Sequence, residues 1–328
     1  MPEPKRTKLA VITSMRNEGL LLLEWVSYHR AIGFEKFIIA TNDCDDGTDQ
    51  MVDRLAEIED VVHIRNQRVD GEPVQITALN RIMKGRDIAD VAWALHIDPD
   101  EFLNISVGAG KVTDLFGAVG DADVIVISWK MFGSNGIRRW KGGLVLETFD
   151  KAQSRFRPKF VQQKSLFRPH KFRRANAHMP KRPKVDVVMK NTRGEVLPND
   201  ALMLRRASSH HAADRALMTW DNADVHHYAV RSQDTFLLKN LRGRGAGRTL
   251  DDRYLLTSNW WTNNDTNDVE DREIQRFLPE VKQRMAAYLA DPALGALHQK
   301  AYDWFDALRA EYLDRRGEFG WHELPPET

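Results

Sequence analysis

The sequence predicts an α/β fold: a Rossmann-type, mostly parallel sheet with helices on both faces, followed by a smaller irregular and helical C-terminal region. Three observations predict it. Short β-rich runs alternate with helix-period segments through the first half of the chain, the spacing of βαβ units. That alternation stops after Gly133, and from Arg155 to Lys190 the chain is crowded with Lys and Arg, with Asp186 as the only acid. A helical pattern returns from about Asp271 to Tyr312, where Phe277, Val281, Met285 and Tyr288 fall near helical spacing.

The elements follow in order. Leu9 to Ser14 is a short β-rich run, and Gly19 to Ala31 is helical in period, with Leu22, Trp25, Val26 and His29 on one face and Gly33 as a stop. Phe37 to Thr41 reads as a strand, Asp46 to Ile58 as a helix and Val61 to Ile64 as a strand. Val74 to Ile88 is helical, Val91 to Ile97 a strand, Val112 to Val119 a short helix and Val124 to Trp129 a strand. The basic stretch has weak periodicity and recurring prolines at Pro158, Pro169, Pro180 and Pro183, which suits irregular structure or short antiparallel strands.

Composition narrows the class. Over 328 residues, 42% are hydrophobic and 29% charged, as in an ordinary globular protein. Lys plus Arg number 48 against 47 acids, so there is no overall bias toward nucleic acid, and no nucleic-acid partner is expected. The single cysteine, Cys44, excludes an intrachain disulfide and a multi-cysteine zinc site. Met1 to Lys8 lacks the apolar core of a signal peptide, and no apolar run approaches the ~20 residues of a membrane helix. We expect a cytoplasmic protein and leave peripheral membrane contact open.

In open α/β sheets ligands bind beyond the carboxyl ends of the strands, so the residues after each strand carry the chemistry. Leu95-His96-Ile97-Asp98-Pro99-Asp100-Glu101-Phe102 runs a buried strand into a cluster of carboxylates. Asp98 and Asp100 are two apart, which in extended chain points both to one side, and Pro99 stiffens the turn. Two convergent carboxylates without a thiolate suit a hard divalent ion such as Mn²⁺ or Mg²⁺; a solvated acidic loop is the plainer account. Asn42-Asp43-Cys44-Asp45-Asp46-Gly47-Thr48 follows the second run and opens a helix. Capping accounts better for Asp45 and Asp46, whereas Asp43 is placed earlier. Ser14-Met15-Arg16-Asn17-Glu18 follows the first run, with Asn17 placed as a cap, and Ala78-Leu79-Asn80-Arg81 puts polar residues in an apolar helix.

In order and spacing these segments resemble the family 2 glycosyltransferases, of GT-A fold, over roughly the first 130 residues. Asn17-Glu18, Asp43 with Asp46-Gly47-Thr48, Ala78 to Asn80 and Asp98 to Asp100 carry the resemblance; Asn42 stands where the family has the first acid of a pair. Later segments look like a divergent bacterial branch with an Asp-x-Asp-Glu-Phe motif: Ser128 to Gly136, and His227-Tyr228 followed by Ser232, Phe236, Lys239 and Arg242-Gly243. The resemblance implies a nucleotide-sugar-binding core over 1–150, with 151–328 forming the acceptor side and completing the site. It implies a nucleoside-diphosphate sugar donor, UDP-linked by default, a saccharide or other hydroxyl acceptor, and single displacement with inversion. Asn17, Glu18, Asp43, Asn80, Asp98, Lys239 and Arg242 would bind the donor nucleotide, with Arg244 a further candidate, and Asp98, Asp100 and His227 would hold the metal.

The acceptor hydroxyl needs a general base. The family's usual Glu-Asp motif is not evident downstream, and Glu147, after the Gly-rich loop, is the catalytic candidate, with Glu101 and Asp150 as rivals. Two other classes stay open. A nucleotidyltransferase would carry a Gly-rich basic loop after the first strand, where Met15 to Gly19 offers only Arg16. A polyanion-binding module would use the basic stretch, in which Phe156, Phe160, Phe167 and Phe172 interleave with charge.

Overall fold

A computed structural model describes residues 5–69, 71–156, 162–203, 215–242 and 252–323. The first half holds β1 (Lys8–Met15), α1 (Gly19–Ala31), β2 (Lys36–Thr41), α2 (Thr48–Ile58), β3 (Val61–Arg65), α3 (Val74–Lys84), β4 (Val91–His96), β5 (Glu101–Ile105), α4 (Val112–Val119) and β6 (Val124–Met131). α3 stops at Lys84 rather than Ile88, because Gly85 turns to extended backbone. The second half holds α5 (Val145–Thr148), β7 (Lys151–Ala152), β8 (Gln163–Phe167), β9 (Phe172–Ala175), β10 (Pro180–Pro183), β11 (Met189–Asn191), β12 (Val196–Leu197), α6 (Asp200–Met203), β13 (Ala223–His227), α7 (Gln233–Leu238), α8 (Asn259–Asn264), β14 (Val269–Glu270), α9 (Leu278–Ala290) and α10 (Pro292–Leu308).

The main sheet runs β12-β11-β6-β8-β4-β1-β2-β3. β1, β2, β3 and β4 are parallel, so β1, β2 and β4 end on the same edge, the precondition for one shared site. Alternation along the strands sends side chains to two cores. Val11, Ile39, Leu95 and Ile125 meet α1, α2 and α4 on one face. Ile12, Ile38, Ala94 and Val126 meet α3 on the other, together with Phe172 and Ala175 of β9. The second face is therefore covered partly by the β9–β10 hairpin and not by helices alone. Val281, Tyr288 and Leu294 of α9 and α10 join the first core, so α1 is enclosed between sheet and C-terminal helices. Gly19, where α1 begins, has no room for a side chain: a Cβ there would lie 2.7 Å from Ala301.

Two departures from a parallel sheet position the site. β8 lies antiparallel between β4 and β6, and β13 lies parallel to β6 but antiparallel to β5. The basic stretch thus supplies an interior strand. Among the described residues, no helix is long and apolar enough to cross a membrane.

Candidate active site

β4 delivers the chain to the Asp98-Pro99-Asp100 turn, which is closed by Glu101 N–H donating to the Asp98 carbonyl at 3.0 Å. Both carboxylates line a cleft of about 610 Å³. Asp98 Oδ1 accepts from Gln75 Nε2 at 2.7 Å and its Oδ2 from Lys164 Nζ at 2.8 Å. Lys164 is fully buried on β8 and also meets Glu101 Oε2 at 3.0 Å. Burial alone would raise the Asp98 carboxyl; the Lys164 ammonium outweighs it and holds the group below the usual carboxylate range. Burial likewise opposes ionisation of Asp100, but the Lys239 ammonium holds it well below that range. Glu101, wholly enclosed, is pushed by burial up to about 8. The turn thus exposes two ionised carboxylates to the cleft and keeps a third carboxyl behind them.

β13 brings the distant half of the site. Pairing with β5 sets His227 opposite Glu101, and Tyr228 N–H donates to the Asp100 carbonyl at 2.9 Å. His227 Nε2 then stands 3.7 Å from Asp100 Oδ1, with its ring 4.0 Å from that of Trp129. Burial pushes the imidazole down to about 4, so at neutral pH it is uncharged, the form that ligates a metal. Lys239, following α7, donates to Asp100 Oδ2 at 2.9 Å and to the Ala229 carbonyl at 2.7 Å.

The other predicted residues are placed unevenly. Glu18 lines the cleft, and its N–H donates to Thr48 Oγ1 at 2.8 Å. Asn17 takes a left-handed backbone (φ 54°) and spends its side chain locally: Oδ1 accepts from Asp45 N–H at 2.7 Å. Asp43 is exposed, 3.7 Å from Arg68, and Asn80 sits on α3; neither is among the cleft-lining residues. Glu147 is not brought to the cleft either: about half exposed, it pairs with Lys282 of α9 at 2.7 Å. Asp150 is held by Arg272 and Asn135. Arg242 closes the short 3-10 turn after α7; its side chain, like Phe160 and Arg244, lies outside the described residues.

Sequence reasoning missed Gln75, Lys164, Arg253, Tyr254 and Trp260. The last three line the cleft together with His178 and Gln162. Gln75 had a signal, lying in the first turn of the helix that resembled the family's Ala-x-Asn helix. Lys164 was concealed among neighbouring cations. Much of the basic stretch is not a free cationic face. Lys164 and Lys181 are buried, and Lys171 pairs with Asp123 at 2.6 Å.

Among the described residues no three His, Cys, Asp or Glu side chains converge as a formed metal centre. The donor chemistry nevertheless fits a divalent ion. Asp100 Oδ1 and His227 Nε2 offer a carboxylate and a neutral imidazole on one wall, and Asp98 is ionised beside them.

No protein-family model matches the chain. Over 145 residues it is 25% identical to a glycosyltransferase family 92 protein of Ricinus communis, a stretch covering 42% of this chain. The match spans 26% of that relative, about a quarter of its length. Among solved structures, S. aureus TarS 1–349 aligns over 92% of this chain and 83% of its own, at 14% identity and a TM-score of 0.36. A mannosyltransferase, PcManGT of Pyrobaculum calidifontis, in complex with GDP-Man and Mn²⁺, aligns over 98% of this chain and 86% of its own, at 13% identity and a TM-score of 0.31.

Proposed function

We propose that this chain is a GT-A-type glycosyltransferase that moves a sugar from a nucleoside-diphosphate donor, with Mn²⁺ or Mg²⁺, to a hydroxyl acceptor, by single displacement with inversion. One observation carries the reading: two carboxylates, a histidine and a lysine share one cleft at the carboxyl end of β4. The sequence likeness to a glycosyltransferase family 92 protein supports the same class.

In this reading Asp98, Asp100 and His227 hold the ion, which when bound supplies Lewis-acid stabilisation of the departing diphosphate. Lys239 donates to a diphosphate oxygen, a charge-assisted bond that strengthens as charge develops there. Arg242 is the second cation proposed for that group. Glu18 borders the nucleotide side, and Asn17 shapes the loop beneath it by tying down Asp45. Trp129, only 6% exposed, packs on His227 and keeps water from the imidazole's inner face. Glu147 reaches an acceptor only by leaving Lys282, so we assign it no step.

A thermal-shift panel of nucleotide sugars, with and without Mn²⁺, tests the proposal. A ligand at about 100 times its Kd stabilises the native state by about 2.7 kcal/mol. One donor should therefore raise Tm in a Mn²⁺-dependent way, and turnover should release a nucleoside diphosphate. Release of pyrophosphate instead would reassign the chain to nucleotidyl transfer, and a panel without any shift would remove the donor reading.

A further inference from the structure

We infer that Lys164 and Lys239 set the order in which this site fills: the divalent ion enters together with the diphosphate, as one unit, and not ahead of it. The inference rests on the donor reading above and concerns residues that the resemblance did not assign to the ion.

Each carboxylate of the Asp-Pro-Asp turn already has its own ammonium. Lys164 Nζ lies 2.8 Å from Asp98 Oδ2, 3.0 Å from Glu101 Oε2 and 3.0 Å from the Ala177 carbonyl, in a side chain with no exposure. It is carried by β8, hydrogen-bonded to β4 on one side and β6 on the other, so its backbone is fixed. Lys239 Nζ lies 2.9 Å from Asp100 Oδ2, and its side chain is 8% exposed. It lines the cleft, whereas Lys164 stands behind Asp98.

Charges shielded from water interact strongly, because the effective dielectric is low and salt screens them little. A bare divalent ion arriving at Asp98 and Asp100 would meet two buried ammonium groups that already balance those carboxylates. A diphosphate changes the balance, because it brings negative charge of its own. Lys239 can then turn from Asp100 onto a phosphate oxygen and release Asp100 Oδ2. Lys164, enclosed by the sheet, stays and keeps the Asp98 carboxylate aimed. The two lysines therefore divide the work, one exchanging partners and the other holding position.

Calorimetric titration of the full chain tests this, with MnCl₂ alone, UDP alone, inorganic pyrophosphate alone, and MnCl₂ in the presence of each anion. Electron paramagnetic resonance of free Mn²⁺ provides an independent readout. Mn²⁺ should bind about tenfold or more tightly in saturating UDP or pyrophosphate than alone. By linkage Mn²⁺ should tighten each anion by the same factor. Lys164→Met and Lys239→Met keep an unbranched chain without the charge, and each should raise the affinity for Mn²⁺ alone by about tenfold; the coupling should shrink in Lys239→Met, which has lost the exchanging ammonium, and persist in Lys164→Met. Equal Mn²⁺ affinity with and without the anions would overturn the inference. So would a variant, folded by circular dichroism, that binds Mn²⁺ alone no more tightly than wild type. If Lys164→Met fails to fold, the wild-type coupling and Lys239→Met each still decide. Tight Mn²⁺ binding alone, with uncoupled anion binding, would sink this inference and leave the donor reading standing. Failure of both anions to bind under any condition would sink the two together.

Discussion

Two acidic loops, at the ends of the strands that flank β1, look alike in sequence and do opposite things. After β2, Asp46 is 1% exposed and spends its oxygens on nearby groups: Oδ2 accepts from Gly19 N–H, and Oδ1 from Thr48 N–H and Thr48 Oγ1. Those bonds fix the starts of α1 and α2. After β4, Asp98 and Asp100 are met by lysines 66 and 139 residues away, and both open to the cleft. A carboxylate consumed by backbone N–H groups is structural. One balanced by a side-chain cation from a distant element can exchange that cation for a ligand.

The contrast can be broken at its stronger end first. Asp100→Asn leaves Lys239 without its charge partner; losing one member of a buried pair costs about 3–5 kcal/mol. Donor turnover should fall by about 10²–10³-fold or more, as should that of Asp98→Asn, in initial-rate assays on folded protein. Full activity in either variant would remove the carboxylates from the chemistry.

Glu24 offers a third kind of acid, buried at 2% exposure and accepting from Val145 and Leu146 N–H. Burial pushes its carboxyl up to about 7 in the fold, against about 4.3 in an unfolded chain. The folded state thus keeps a proton that the unfolded state releases between those values. The resulting stability is complete below about pH 4 and is lost as pH rises through 7. Compared with Glu24→Gln, wild type should lose about 3 kcal/mol of unfolding free energy between pH 4 and 9. Parallel pH profiles from chemical denaturation would refute this.

Asp46→Ala should cost about 2 kcal/mol of stability through the stranded N–H groups, while UDP and Mn²⁺ affinity stay within about twofold. A large affinity loss in protein that melts normally would erase the distinction between the loops. The smallest effect is expected for Glu147→Gln, about half exposed and paired with Lys282. Its turnover should stay within about twofold of wild type, and a loss of about 10²-fold would restore it as the base.

The strands whose apolar residues fill both faces were readable. β1, β2 and β4 each place side chains in two cores, and apolar runs between helix-period segments announce such strands. β8 was hidden because Gln163, Lys164 and Ser165 are polar and yet buried. Their partners, such as Asp98 for Lys164 and the His178 carbonyl for Ser165, are visible only after folding. β13 was hidden for the same reason: its Asp224, His226 and His227 carry no apolar period. The resemblance located His227 where periodicity did not. Glu147 illustrates the converse, since nothing local reveals that Lys282 of α9 holds it outside the cleft.

β13 also has a consequence for the order of assembly. Among the described residues it alone bonds both β5 and β6, and it carries His227 to Asp100. Loop closure over such spans opposes early formation of these contacts. During synthesis, the sheet from β1 to β4 can form while the cleft still lacks its histidine and Lys239. β5 and the free side of β6 meanwhile present unpaired backbone edges, the surfaces on which strands from other chains add. The strand that completes the donor site is thus also the one that closes those edges, and the chain gains binding competence and protection from self-association in one step.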